Sequence, residues 1–311
     1  MEGKNKKKAG FLVRLGLDVK KNRVPYLMFL PVFVFFVVFC YVPMAWLAMS
    51  FFDYVPRLGF AGSEFVGFKY FIEFFTKRDG WHLIYNTFIL NVWDLAFSFV
   101  SPIILALMFF EMPGRKVRNT MQSITYLPHF VSLVVVCGMI VQFTKSDGLF
   151  SNISHILFGT EYENILDKKG AYIPIFVISN IWQEVGFASV IYFAALCSVD
   201  IQLFDAAKID GAGKLVRIWK ISAPSIMPTI VIMFILRMGS MLNVGFEKAF
   251  LLQTDMNITI SEVISTHVYN AGLKAQNYGY GTAVGLFNSV VNLAFLLAAN
   301  FLSRRTETSL F

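Results

Sequence analysis

Charge is what this sequence has least of. Only 15% of its 311 residues are Asp, Glu, Lys or Arg, while 56% are hydrophobic and mean hydropathy is +0.61. Soluble domains carry roughly 25% charged residues, so an ordinary water-soluble domain is excluded. Cysteine is scarce too. Cys40, Cys137 and Cys197 all lie in apolar segments with no CxxC spacing, which leaves no disulfide framework and no thiolate metal site. There is no GxxxxGK[ST] loop, since Gly213-Lys214-Leu215 does not complete one, so the chain has no such ATP site of its own. HExxH and GxSxG are absent, and Gly279, Gly281 and Gly285 do not form GxGxxG. The four histidines, His82, His129, His155 and His267, are scattered. Nothing suggests an enzyme, and no metal or cofactor is expected in the chain. No Ser/Pro-rich linker or low-complexity tract divides it.

What is present is a series of long apolar runs, at 25–52, 81–110, 119–143, 171–198, 224–244 and 281–302. A bilayer core is crossed by about 20 apolar residues, so these predict six membrane-spanning helices in an all-α protein. The first run is too long for a signal-peptide core and lacks a small-residue cleavage site, so it reads as an uncleaved span. The net charge of +7 could suggest nucleic acid, but its distribution points to a membrane surface and its lipids. Residues 1–24, 111–118, 199–223 and 303–311 hold seventeen Lys and Arg, against nine in the alternate connections 53–80, 144–170 and 245–280. The positive-inside rule then puts both termini in the cytoplasm of a multi-pass plasma-membrane protein. The expected organisation is a basic arm over 1–24, a six-helix domain over 25–303 and a short tail over 304–311. No nucleic-acid partner is expected.

Between the fourth and fifth runs lies LFDAAKIDGAGKLVRIWKISAPSIMP, residues 203–228. Asp200 can cap a helix over 201–210. Gly211 and Gly213 would break it. A second helix over 214–222 would carry Leu215, Ile218 and Trp219 on one face, with Pro224 ending it. Ala206, Ala207 and Ala212 have little bulk, so another backbone can come close. A charged cassette of two short helices about a glycine corner, on the cytoplasmic side, is more than a re-entering loop requires.

Its spacing resembles the EAA loop of ABC importer permeases, which reads Glu-Ala-Ala, three residues, Gly, nine residues, Ile, one residue, Leu-Pro. Ala206, Ala207, Gly211, Ile221 and Pro224 match, while Asp205 stands for Glu and Ala223 for Leu. TYLPHFVS (125–132), SNIWQEVGFASVIYFAALCSVD (179–200), LNVGFEKAFLLQ (242–253) and YGTAVGLFNSVVNL (280–293) are similar to oligosaccharide and polysaccharide permeases of the LplB type. The likeness runs from about residue 24 to the C-terminus and implies the type I importer fold. It also implies that loop 200–224 is a coupling helix, with Asp205, Ala206, Ala207, Lys208, Asp210, Gly211 and Ala212 docking on an ATPase. The implied assembly is a heterodimer with a second permease subunit, this chain being the maltose-permease-F-like half. Two copies of a cytoplasmic ATPase would hold ATP and Mg, and an extracytoplasmic carbohydrate-binding lipoprotein would deliver the cargo.

Three ionisable residues fall well inside runs. Asp94, Glu184 and Arg237 lie 12 or 13 residues from the start of their spans, roughly 18–20 Å deep at about 1.5 Å per residue. A charge at that depth costs at least about 2.5–3.5 kcal/mol, so each should face the bundle interior or a wet cavity. One reading is an internal Glu184–Arg237 ion pair; another is a layer that binds or gates sugar. Sugars are recognised by planar hydrogen-bonding groups and aromatic faces. Trp182, Tyr192, Asn243, Phe246, Glu247, Asn288 and Asn292 therefore join Glu184 and Arg237 as pathway candidates, Asn288 and Asn292 sharing a helix face. Residues 150–158 can form an amphipathic helix at the outer surface. An ion-gradient-driven secondary transporter would also use mid-membrane charges, but it leaves the cassette unexplained and predicts internal repeats that are not evident. A scaffold without transport would not need the polar layer.

Overall fold

The computed structural model describes residue 18 and residues 20–303, except 169 and 244. The expected tail over 304–311, and nearly all of the arm over 1–24, lie outside the described residues. Five helices are long and apolar enough to cross a bilayer, and a bent pair brings the number to six. They are α1 (Arg23–Phe51), α3 (Asp79–Glu111), the stretch Leu133–Phe158, α7 (Tyr172–Cys197) and α13 (Tyr278–Ser303). The bent pair is α9 (Lys214–Ser225) with α10 (Met227–Met238), and the short helices α11 (Phe246–Leu251) and α12 (Ile264–Val268) lie between it and α13 in the chain. A two-stranded ribbon, β1 (Phe52–Asp53) and β2 (Glu64–Phe65), and helix α2 (Lys69–Thr76) fill the first connection.

Two runs depart from straight spans. The third is broken into α4 (Arg115–Tyr126), a 3-10 turn over Leu127–Phe130 and α5 (Leu133–Thr144). Pro128 has no N–H to give, and Val131 and Ser132 adopt extended ψ of 131° and 134°. The apolar stretch of spanning length therefore starts at Leu133, not 119, and includes α6 (Leu149–Phe158). The fifth run starts earlier and stops sooner than expected. Pro224 does not end the preceding helix, because a π-turn over Ile218–Ser222 widens the coil ahead of it. The 60° bend falls instead at Ile226, before Met227 and Pro228. Residues 239–243 turn rather than continue the span.

Many large apolar side chains of the helices face outward rather than into a core. α1 buries nothing over its most apolar window, and apolar side chains such as Leu27, Phe29 and Phe39 are exposed along it. α7 lies along the second half of α3, and α10 lies against α13. Three small cores tie the bundle. One gathers Leu90, Cys137, Tyr172, Phe176, Ala249 and Leu252; another Tyr70, Phe74, Leu242 and Val284; the third Ala106, Tyr192, Leu196 and Ile226.

α7 is the central strut, and Gly186 is what lets α4 cross it. A Cβ at Gly186 would stand 2.0 Å from the Thr125 carbonyl oxygen. Backbone on both sides leaves nothing flexible to yield. Gly186→Ala is expected to destabilise the protein by about 1–3 kcal/mol or more. Gly285→Ala, where a Cβ meets nothing within 4 Å, should stay within about 0.5 kcal/mol of the parent or gain slightly. Thermal unfolding in detergent checks both.

Candidate functional site

The spacing along α7 creates a polar stripe in an apolar helix. Asn180, Gln183, Glu184 and Phe187 stand at i, i+3, i+4 and i+7, and so share one face. α3 brings Asn91 and Asp94 to the same place, with a π-turn over Leu95–Phe99 directly after Asp94. Arg237 comes from the last turn of α10, Asn243 from the turn beyond it, and Lys248 from α11 (Phe246–Leu251). With Leu90, Leu133, Phe176 and Gly245, all of these but Phe187 surround a cavity of about 360 Å³.

Asp94 is the hub. Its carboxylate pairs with the Arg237 guanidinium and also accepts from Asn180 Nδ2 at 2.7 Å and Ser98 Oγ at 2.8 Å. The Glu184–Arg237 pairing considered from the sequence is not formed. Glu184 Oε2 lies 2.9 Å from His129 Nδ1, and the His129 ring stacks on Phe187 with centroids 4.0 Å apart. The depth count for Arg237 assumed a straight helix from Pro224; the bend removes that assumption, yet Arg237 still meets Asp94 deep in α3. Gln183 Nε2 donates to the Val131 carbonyl at 3.2 Å, in the break between α4 and α5.

A second, mostly apolar cavity of about 610 Å³ adjoins the first, lined by Phe99, Pro102, Phe187, Ile191, Tyr192 and Met233 among others. Asp94, Asn180, Glu184 and Arg237 line both cavities, so the charged cluster lies between them. The second cavity uses later residues of α3 and α7, and is therefore nearer the cassette. Lys248 lines the first. It is 3% exposed, its Nζ sits 5.0 Å from the Phe176 ring centroid, and no hydrogen-bond acceptor reaches it. Burial lowers its ammonium to about 8, opposed by the nearby Cys137, Asp94 and Glu184 side chains.

The other candidates are placed as follows. Tyr192 is buried and lines the second cavity. Asn288 Nδ2 donates to Asn243 Oδ1 at 3.4 Å, and Asn292 Oδ1 accepts from the Leu242 N–H at 2.7 Å. These two tie the end of the fifth segment to α13, and neither lines the polar cavity. Trp182 points away from it into an apolar groove with Met139, Phe143 and Phe150. Phe246 stacks on Phe250 and packs on Tyr269, and Glu247 is exposed outside the cavity. Sequence reasoning passed over Asn180, Gln183, Asn91, His129 and Lys248. Asn180 and Gln183 share the Glu184 face by spacing alone, and Lys248 directly follows Glu247. No sequence signal joined His129 to Glu184.

The cassette forms α8 (Ile201–Ile209), capped by Asp200, which accepts from the Gln202 N–H at 2.9 Å. Asp205, Ala206, Lys208, Asp210 and Gly211 are exposed, and Ala207 and Ala212 are half-buried. Asp205 and Lys208 pair at the surface, 2.9 Å apart. Gly211 turns the corner at φ 76°, a value that favours glycine. The Ala212 N–H donates to the Ala207 carbonyl at 2.8 Å. Arg217 then fixes the corner by donating to the Ala212 carbonyl at 3.2 Å and pairing with Glu111, at the end of α3, at 2.5 Å. Leu215 and Trp219 are exposed. Among the described residues no three His, Cys, Asp or Glu gather as a metal site.

Residues 98–308 match the model of the binding-protein-dependent transport system inner membrane component family. The chain belongs to that family. The permease is 39% identical over 292 residues to the polygalacturonan/rhamnogalacturonan transport system permease protein YteP of Bacillus subtilis (strain 168), covering 94% of this chain and 91% of YteP. It is 38% identical over 290 residues to Protein LplB of the same organism, covering 93% and 91%. Among solved structures it matches a chain of a bacterial ABC transporter that imports the acidic polysaccharide alginate, at TM-score 0.86 and 38% identity, over 94% of this chain and 99% of that one. Its fold is the type I ABC importer permease fold, and it is a multi-pass transport subunit of the membrane.

Removing one member of a buried ion pair strands the other. The Asp94 side chain is 6% exposed and that of Arg237 37%, so the two deletions should differ. Arg237→Met leaves a buried carboxylate and is expected to destabilise the permease by about 3 kcal/mol, Asp94→Asn by less, and Asp94→Leu with Arg237→Met by less than the single Arg237 change. A double-mutant cycle on thermal unfolding reads all three.

Proposed function

We propose that this permease is one half of the path through an ATP-driven importer of oligosaccharides or polysaccharide fragments. The observation that carries the reading is the cassette, an exposed rod with small side chains whose corner is locked to the bundle. Both termini and the cassette face the cytoplasm, where seventeen of the Lys and Arg residues gather. One copy of a separate ATPase docks on Asp205, Ala206, Ala207, Lys208, Asp210, Gly211 and Ala212, a second copy docks on the partner permease, and the two hold ATP and Mg. A second, different permease subunit completes the cavity, and a binding protein delivers the sugar from outside. YteP and the alginate transporter carry polysaccharide cargo by name, which supports an oligosaccharide, and acidic ones are the first class to try.

The coupling follows from the connections. α7, which bears Asn180 and Glu184, runs into the cassette. α9 leaves the cassette and leads through the bend to Arg237 on α10. α3, which bears Asp94, is bonded to the cassette by Glu111 and Arg217. Every element of the charged cluster is thus joined to the same rod. When ATP closes the two ATPases, the rods move together and the cluster between the cavities is rearranged, so that sugar passes from the outer, polar cavity to the inner, apolar one over a full cycle. Glu184, Arg237 and Asn243 face the sugar in the first cavity and Tyr192 in the second. Asn288 and Asn292 hold Asn243 and its turn in place.

Affinity purification from native membranes in mild detergent tests the assembly. An ATPase and a second six-span permease in about equal amounts are expected; recovery of this chain alone would contradict it. Ala206→Glu and Asp205→Arg change only exposed side chains, and the Asp205–Lys208 pair is worth at most about 1 kcal/mol. Both variants should melt like the parent yet lose most sugar-stimulated ATP hydrolysis and uptake in proteoliposomes. Uptake equal to the parent's in both would remove the cassette from the mechanism.

A further inference from the structure

Of the described polar side chains around the outer cavity, all but one are already engaged. Asn91 donates to the Thr87 carbonyl, Asn180 to Asp94, Gln183 to the Val131 carbonyl, and Asn243 accepts from Asn288. The acids are committed as well, Asp94 to Arg237 and Glu184 to His129. Lys248 is the exception. It is held 3% exposed on a short helix, with the Phe176 ring as its neighbour and three donors without an acceptor. An unpaired buried ammonium is destabilising on its own account. The one cation–π neighbour of Lys248 among the described residues is the Phe176 ring, and no hydrogen-bond acceptor in the fold takes its protons.

We propose that Lys248 is the residue that recognises a sugar carboxylate in the outer cavity, making the permease itself selective for uronate-containing oligosaccharides. This rests on the reading of that cavity as the sugar path. The chemistry is local and complementary. A hexuronate ring has an apolar face, a rim of hydroxyls and one carboxylate. Leu133 and Phe176 supply the apolar wall of the same cavity. Asn91, Asn180, Gln183 and Asn243 each keep a donor or acceptor beyond the bond already made, suited to hydroxyls. Lys248 supplies the charge-assisted hydrogen bond that a neutral sugar cannot use. The cavity volume of about 360 Å³ lies within the roughly 300–1,000 Å³ of small-molecule sites. Arg237 neutralises Asp94, and Glu184 is turned toward His129.

The test uses the assembled transporter, with its ATPase, partner permease and binding protein, in proteoliposomes. The probes are a galacturonate tetrasaccharide and the same sugar with its carboxylates methyl-esterified. Because the binding protein discriminates first, the readout is the change in the acid-to-ester uptake ratio between variants. Lys248→Met should lower that ratio about tenfold or more, with ester uptake retained, and Lys248→Arg should keep most of the preference. Lys248→Met should also melt no lower than the parent, since it removes an unpaired buried charge, whereas a merely structural lysine would lower the melting temperature. A ratio unchanged in Lys248→Met would overturn the assignment and leave the carbohydrate reading standing. Accumulation of a neutral oligosaccharide but of neither probe by the parent transporter would overturn the uronate assignment alone, and failure to accumulate any oligosaccharide would overturn the carbohydrate reading with it.

Discussion

The bundle is organised around a charge pair in a place hostile to charge. Asp94 and Arg237 sit where a single ion would cost at least about 2.5–3.5 kcal/mol, and each makes the other tolerable. Asn180 and Ser98 complete the Asp94 carboxylate. That pair joins α3 to α10, Asn180 joins both to α7, and the glycine at 186 lets α4 reach the same strut. Remove the pair and α3, α10 and α7 lose the polar cluster through which they meet.

The same cluster separates two cavities of different character. The one farther from the cassette is edged with amides and charges, the one nearer it largely with apolar side chains. The helices that form the partition all connect to the cassette, α7 and α10 through the chain and α3 through Arg217–Glu111. A push at the exposed rod therefore reaches the partition without a long relay of side chains. The π-turns after Asp94 and before Pro224 lie in two of these three connections, where a helix already departs from regular hydrogen bonding.

Much of this was legible in the residues. Apolar runs located most of the spans, and the cassette was readable because its glycines, alanines and charges interrupt lipid-facing sequence. Asp94, Glu184 and Arg237 stood out because charge is so rare here. Their partners did not. Pairing depends on helix rotation and on the bend at Ile226, neither of which a count of residues from a span's start can supply. His129 was hidden because its contact with Glu184 depends on the break beside Pro128, which displaces α4 from α5. Trp182 and Phe246 were attractive as aromatic faces, yet each follows its own helix away from the cavity. Lys248 sits in a connection that composition alone assigns to the outer surface.

The most direct test of a partition driven by the cassette is thiol accessibility on its two sides. In a background lacking Cys40, Cys137 and Cys197, Asn243→Cys reports the outer cavity and Ala194→Cys the inner one. Both positions are exposed and line their cavities. With the assembled transporter in vesicles, a membrane-impermeant maleimide is applied from each side, with the ATPases empty or trapped with ATP. Labelling of Asn243→Cys from outside should rise on trapping while labelling of Ala194→Cys from the ATPase side falls. Labelling at both positions that does not respond to the nucleotide would contradict the partition and its link to the cassette.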